Sequence, residues 1–170
     1  MPGALPLFRL VFVCTGNTCR SPLAEVALRR ALGNLADRVE VASAGTAAAE
    51  GAPASEMSRR VAAAAGLDLE GHRSRRLDGA VLAGADLVLL MDPRDRTRVR
   101  ALDPTKVEQT YGLADFGRAA PTGEMIPDPY GASLEAYEEC LRRIEDHLER
   151  VVPYVRAALE VRSSDAREPS

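Results

Sequence analysis

Residues 7–13, Leu-Phe-Arg-Leu-Val-Phe-Val, form an apolar, β-branched run that stops at a polar stretch, which predicts a buried strand. Ser21 and Pro22 then read as a helix start, a hydroxyl N-cap followed by proline at the first helical position. Glu25 falls one place too late for a capping box. Leu23, Val26, Ala27 and Leu28 give that helix an inward face, and Gly33-Asn34 ends it. Val39–Ala42 predicts a short second strand, followed by a loop from Ser43 to Pro53. An alanine-rich helix over 54–65 ends at Gly66, and a short helix is expected near 76–83. Ala85–Met91 is apolar on both faces and reads as a central strand. Asp92-Pro93 opens a helix to about Leu102, Lys106–Thr110 suggests a fourth strand, and 111–127 reads as a long Gly/Pro-containing loop. From Ser133 a helix carries Leu134, Tyr137, Leu141, Ile144 and Leu148 as one stripe, with Pro153 expected to kink or break it. Strands alternating with helices imply a single three-layer α/β domain, a four-stranded parallel sheet with helices on both faces. In that class ligands bind at the carboxyl ends of strands.

Composition narrows the possibilities. The 170 residues suffice for one domain with a substantial core. Three cysteines are too few, and odd in number, for a disulfide scaffold. No apolar run approaches the ~20 residues of a membrane helix, and Leu10–Val13 is too short for a signal peptide. The expectation is a cytoplasmic protein with reduced cysteines and no membrane partner. A net charge of -3 and the lack of tryptophan argue against nucleic acid as a partner. No metal-ligand spacing is present, so neither metal nor cofactor is expected.

Chemistry concentrates in residues 14–21, Cys-Thr-Gly-Asn-Thr-Cys-Arg-Ser, the loop after the first strand. With 21 arginines in the chain, a cysteine five residues short of an arginine is weak evidence alone. The preceding strand, the internal Gly16 and Asn17, and the Ser-Pro helix start strengthen it. A loop curled before a helix N-terminus offers consecutive amides and a positive dipole to a tetrahedral anion. Gly16 allows close backbone approach, Asn17 tolerates a left-handed conformation, and Arg20 can clamp two oxygens. Cys14 then faces the phosphorus as nucleophile. The amides, dipole and Arg20 together predict a lowered thiol pKa.

The string Val13-Cys-Thr-Gly-Asn-Thr-Cys-Arg-Ser-Pro22 strongly resembles the low-molecular-weight protein tyrosine phosphatase family, including its bacterial protein arginine phosphatase subgroup. The resemblance extends through Ser43-Ala44-Gly45-Thr46, His72, Asp86–Asp92 and Asp128-Pro129-Tyr130, covering about residues 7–158. Residues 1–6 then form an N-terminal extension and 159–170 a frayed tail. The resemblance implies catalysis by Cys14, Arg20 and Asp128: a phosphocysteine on Cys14, phosphate held by Arg20, and Asp128 as acid and then base. It implies phosphate binding by Thr15, Gly16, Asn17, Thr18, Cys19 and Ser21, with Ser43 and His72 supporting the loop. Ser21 can also donate a hydrogen bond to the sulfur. Cys19 would be a redox partner of Cys14. Cys140 reads as structural, and His147 as a residue of a solvated face among acidic neighbours.

The resemblance implies a phosphorylated protein or peptide as substrate, with inorganic phosphate as product and inhibitor. Phosphotyrosine is the family default. The substrate pocket is expected to include Thr18 and Tyr130, and two features point to phosphoarginine as the alternative. Thr18 stands where tyrosine-directed members usually carry an aliphatic residue, and the acid loop has one aromatic, Tyr130, before Gly131. Carboxylates at the pocket mouth would favour a cationic leaving group; Asp128 is one candidate, and Asp92, Asp95 and Glu50 are others. An arsenate reductase is a remote alternative, disfavoured because residues 80–100 contain no cysteine.

Overall fold

A computed structural model describes residues 7–166. The extension over 1–6 and the last four tail residues lie outside that range. Four strands, β1 (Phe8–Cys14), β2 (Val39–Gly45), β3 (Leu87–Leu90) and β4 (Thr110–Gly112), form one sheet in the order β2-β1-β3-β4. All pairings are parallel. The helices are α1 (Arg20–Leu32), α2 (Glu56–Ala64), α3 (Gly79–Ala83), α4 (Arg96–Leu102) and α5 (Leu134–Asp165).

The two-residue period of β1 sorts the layers. Phe8, Leu10, Phe12 and Cys14 pack into the larger core with α1, α2 and α5. Val11 and Val13 face the other way, toward Leu77, Leu82 and Val99 in the α3 and α4 layer. The sheet is thus covered on both faces, as the alternating pattern predicts.

Several local expectations are corrected. Ser21 is not the N-cap: α1 begins two residues earlier than a Ser21 cap would place it, at Arg20, and Cys19 holds the cap position without a side-chain cap bond. Pro22 still falls in the first turn, where its missing N–H costs nothing. β2 runs through Ser43, Ala44 and Gly45, which continue the ladder against Phe12, Val13 and Cys14. Residues 104–109 form a 3-10 turn started by Asp103, whose side chain accepts from the Thr105 amide, so β4 is displaced to Thr110–Gly112. Between Asp92 and α4 lies a short 3-10 turn over Pro93–Asp95.

Pro153 lies inside α5 without ending it. It sits on the exposed side, where the carbonyl it leaves unpaired can meet water, while Leu148, Val151, Val155 and Leu159 continue the buried stripe. The part of the expected frayed tail that is described, 159–165, is therefore helical. Arg38 donates to the Leu159 carbonyl and to Ser163 Oγ, and Arg162 pairs with Asp86 at 2.6 Å. Among the described residues no helix is long and apolar enough to cross a membrane.

Candidate active site

β1 ends at Cys14, and the chain curls through 15–19 before α1 begins at Arg20. Among the described residues Asn17 is the non-glycine residue with positive φ, at 54°, and this reverses the curl. The tip of β2 holds the loop from beneath. Thr46 N donates to the Cys14 carbonyl and Ala47 N to the Thr15 carbonyl, each at 2.9 Å. Gly45 makes room for this contact: a Cβ there would lie 2.5 Å from Thr15 O and 2.9 Å from Asn17 N.

Asn17 is the hub beneath the loop. Its Oδ1 accepts from the Arg75 backbone N–H at 2.9 Å, which fixes the amide orientation. Its Nδ2 donates to Ser21 Oγ and Ser43 Oγ, both at 2.9 Å. His72 Nε2 lies 2.7 Å from the Asn17 carbonyl, so this nitrogen carries the proton. Ser43 Oγ in turn donates to Glu25. Ser21 Oγ lies 2.9 Å from Cys14 Sγ, and the Asn17 amide donates to the same sulfur at 3.3 Å. Asn17, Ser21, Ser43 and His72 thus meet in one hydrogen-bonded cluster. Glu25, Gly45 and Arg75 belong to the same construction and were not anticipated as loop supports.

Cys14, Thr15, Gly16, Thr18, Cys19, Arg20, Asp128 and Tyr130 line one cavity of about 310 Å³. The N–H groups of Thr15, Gly16, Thr18 and Cys19 donate to none of the described residues. Arg20 is buried; one terminal nitrogen donates to the Ile126 carbonyl at 3.0 Å, and the other lies 3.3 Å from Asp128 Oδ2. Its Nε is buried without a partner among the described residues. Unpaired donors and a buried cation around one cavity suit a multivalent oxyanion. Asp128 Oδ1 accepts from the Tyr130 amide at 3.1 Å, which holds the turn that follows Asp128. Tyr130 is 74% exposed and stands at the rim.

The thiol of Cys14 departs from expectation. Burial pushes its pKa up from the ordinary value, and this outweighs the Ser21 hydrogen bonds, the charge of Arg20 and the Asn17 amide, which all pull it down. The donors alone would lower it, but dehydration of a sulfur beneath its own loop outweighs them. Burial also raises Cys140, to about 12. Cys19 is turned toward α2 and α5, with Ser55 Oγ at 3.4 Å and the Tyr137 hydroxyl at 3.6 Å. His147 is half-buried rather than solvated. Its Nδ1 accepts from Arg150 at 2.9 Å, and burial lowers its pKa.

Of the four carboxylates proposed for the pocket mouth, only Asp128 lines the cavity. Asp92 pairs with Arg94 at 2.6 Å, Glu50 accepts from the Arg76 amide, and Asp95 is half-buried outside the lining. Among the described residues no group of three or more His, Cys, Asp or Glu could hold a metal ion.

Comparison with known proteins agrees with this geometry. The family described as low molecular weight phosphotyrosine protein phosphatase matches residues 9–162. A probable low molecular weight protein-tyrosine-phosphatase, EpsP of Ralstonia nicotianae, is 35% identical over 148 residues, 87% of this chain and 96% of that protein. A protein-arginine-phosphatase of Geobacillus stearothermophilus is 34% identical over 144 residues, 85% of this chain and 93% of that one. The solved structure of the YwlE arginine phosphatase from Geobacillus stearothermophilus superposes with a TM-score of 0.80 at 32% identity, covering 89% of this chain and 94% of that one. With its sheet order, phosphate-type loop and relatives in accord, the chain belongs to the low molecular weight phosphotyrosine protein phosphatase family and is a protein phosphatase.

Proposed function

We propose that the chain hydrolyses a phosphorylated protein side chain through a phosphocysteine on Cys14. The observation that carries this reading is the convergence of Cys14, the unpaired loop amides, Arg20 and Asp128 on one cavity. Arg20 and the amides of Thr15, Gly16, Thr18 and Cys19 hold the phosphate oxygens and stabilise the charge that develops on them. The Cys14 proton leaves before attack, to the substrate phosphate or to solvent. The sulfur then attacks phosphorus; the S–P bond forms as the bond to the leaving group breaks, and Asp128 gives that group its proton. Asp128, now a carboxylate, takes a proton from water as the water oxygen attacks phosphorus. The S–P bond breaks, releasing inorganic phosphate and the thiolate. Turnover requires reduced Cys14, which fits a cytoplasmic location.

Phosphotyrosine is the substrate class we assign, on the family match. Thr18 and the single rim aromatic Tyr130 favour phosphoarginine as a second reading, because both line the cavity where the leaving group would stand. A threonine hydroxyl can hydrogen-bond a guanidinium where an aliphatic side chain cannot. Rates on a phosphotyrosine peptide and a phosphoarginine peptide, for wild type and Thr18→Ile, decide between them. Faster phosphotyrosine turnover by both proteins supports the first reading. Faster phosphoarginine turnover that reverses in Thr18→Ile establishes the second. Turnover of either peptide by Cys14→Ser would overturn the mechanism itself.

Cys19 is the proposed redox partner. To reach Cys14 its sulfur must leave Ser55 and Tyr137. Peroxide treatment should then give a Cys14–Cys19 disulfide by mass spectrometry; over-oxidised Cys14 alone would refute the role.

A further inference from the structure

The segment around Asp128 is a ridge between two cavities. Asp128 and Tyr130 line the catalytic cavity, whereas Pro127 and Pro129 line a second one of about 270 Å³, which Asp128 also borders. The ridge is stiff: two prolines fix their own φ, and the Pro129 carbonyl accepts from the Ala132 amide at 2.9 Å. The opposite wall is α5, where Ala136, Glu139, Cys140 and Arg143 recur at three- and four-residue spacing and so share one face of the helix. The second cavity is thus preformed, and filling it costs little ordering.

Its walls are mostly apolar, from Pro127, Pro129, Ala132, Ala136 and Cys140. Cys140 is buried, and its thiol, with a pKa of about 12, stays neutral. The charged side chains of α5 at this cavity satisfy each other. Glu139 pairs with Arg143 at 2.8 Å and with Arg142 at 2.7 Å, and Arg143 also meets Glu124 at 3.6 Å. An occupant therefore meets paired charges on the helix side and gains by leaving water. None of the catalytic steps uses this space.

We infer that the second cavity is a substrate subsite: it receives an apolar side chain of the phosphorylated polypeptide, two residues away from the phosphorylated one. The occupant follows from the shared wall. A phosphorylated side chain in the catalytic cavity brings its own flanking chain to the rim at Asp128 and Tyr130. In an extended chain, side chains two residues apart point the same way and stand about 7 Å from one another. A single pass of chain separates the two cavities, so a leucine or methionine at that position crosses the ridge and enters the space beside Ala136. This subsite rests on the phosphatase reading above and adds a sequence preference that the phosphate loop alone does not supply.

The test uses phosphopeptides carrying phosphotyrosine or phosphoarginine, whichever wild type turns over faster. One leucine is walked through an alanine and serine background, from three residues before the phosphorylated residue to three after it. Each protein's rate on p-nitrophenyl phosphate, which has no flanking residues, is the reference. Leucine two residues away on one side should raise kcat/KM about 10-fold, through KM with kcat nearly unchanged. Ala136→Leu fills the cavity from α5 and should abolish that gain. Should Ala136→Leu fail to fold, Ala132→Leu narrows the same cavity from the loop side, and the same comparison applies. Equal rates on all peptides, as a free small ligand or a second copy of the chain in the cavity would give, overturn the subsite. So does a gain at any other position, or a gain that survives in the filled variant. Wild type that hydrolyses neither the peptides nor p-nitrophenyl phosphate defeats the phosphatase reading and the subsite with it, whereas equal rates on every peptide defeat the subsite alone.

Discussion

Gly45→Ala is a small change with a large expected consequence. The added Cβ would stand 2.5 Å from the Thr15 carbonyl oxygen, 2.9 Å from the Asn17 amide nitrogen and 2.9 Å from Ala48 Cβ. Two of these three neighbours are backbone atoms of the phosphate loop, so no flexible side chain can yield. Asn17 is already at positive φ and pinned by Arg75, Ser21 and Ser43. Either the tip of β2 parts from β1 or the loop is pushed toward the cavity. Overpacking of this kind costs about 1–3 kcal/mol, and for a chain of this size that is a fall of about 2–12 °C in Tm. A loop displaced by ~1 Å loses alignment of sulfur, amides and Arg20, worth about 100-fold in kcat/KM. The assay is p-nitrophenyl phosphate hydrolysis with thermal unfolding, and Gly71→Ala is the control. A Cβ at Gly71 meets nothing within 4 Å, and that glycine is not at positive φ. If Gly45→Ala matched Gly71→Ala in both rate and Tm, the close approach of β2 to the loop would not be what holds the site.

Two further outcomes follow from the hydrogen bonds and pKa directions. Ser21 lowers the Cys14 pKa, so Ser21→Ala should raise it. A hydrogen bond to a charged group is worth about 1.5–3 kcal/mol, so the acid limb of kcat/KM should move about 1–2 pH units higher. An unmoved limb would show that Ser21 does not donate to the sulfur. The folded pKa of His147 lies below its ordinary value because of burial and then Arg150. Its contribution to stability is therefore complete above the unfolded value, about 6.5, and is lost as pH falls through the folded value. The Tm advantage of wild type over His147→Gln should shrink on acidification; an advantage that grew in acid would contradict the buried, Arg150-bound neutral ring.

The sequence was most informative where local rules and burial agree. The apolar runs before Cys14 and before Asp92 became β1 and β3, the two inner strands, because a strand buried on both faces leaves a continuous hydrophobic signature. The loop was legible because Gly16, Asn17 and a prolyl helix start coincide within nine residues of Cys14. It was less legible wherever a residue's partner is distant in sequence. Ser21 has the composition of a cap, but Cys14 and Asn17 take its hydroxyl. Glu25 carries no local sign of its contact, because its partner Ser43 is 18 residues away. Gly45 gave no local signal of a close approach, since the atoms it must clear belong to residues 15 and 17. Over Lys106–Thr110 the Asp103-Pro104 turn signal overrides strand composition and starts a 3-10 turn. The upward shift of Cys14 was invisible for a similar reason. Donors can be counted along a chain, but dehydration depends on what the fold stacks over the sulfur.

The central claim is that phosphate passes through Cys14. Asp128→Ala should separate the two half-reactions when the leaving group needs no acid, as with p-nitrophenyl phosphate. Attack then proceeds while hydrolysis of the intermediate, deprived of its base, is slowed. Rapid mixing of this variant with excess substrate should release a burst of one equivalent of p-nitrophenol per enzyme. Mass spectrometry of the quenched protein should place one phosphoryl group on Cys14. Release at a single steady rate from the first turnover, or a phosphoryl group on any residue but Cys14, would contradict the account.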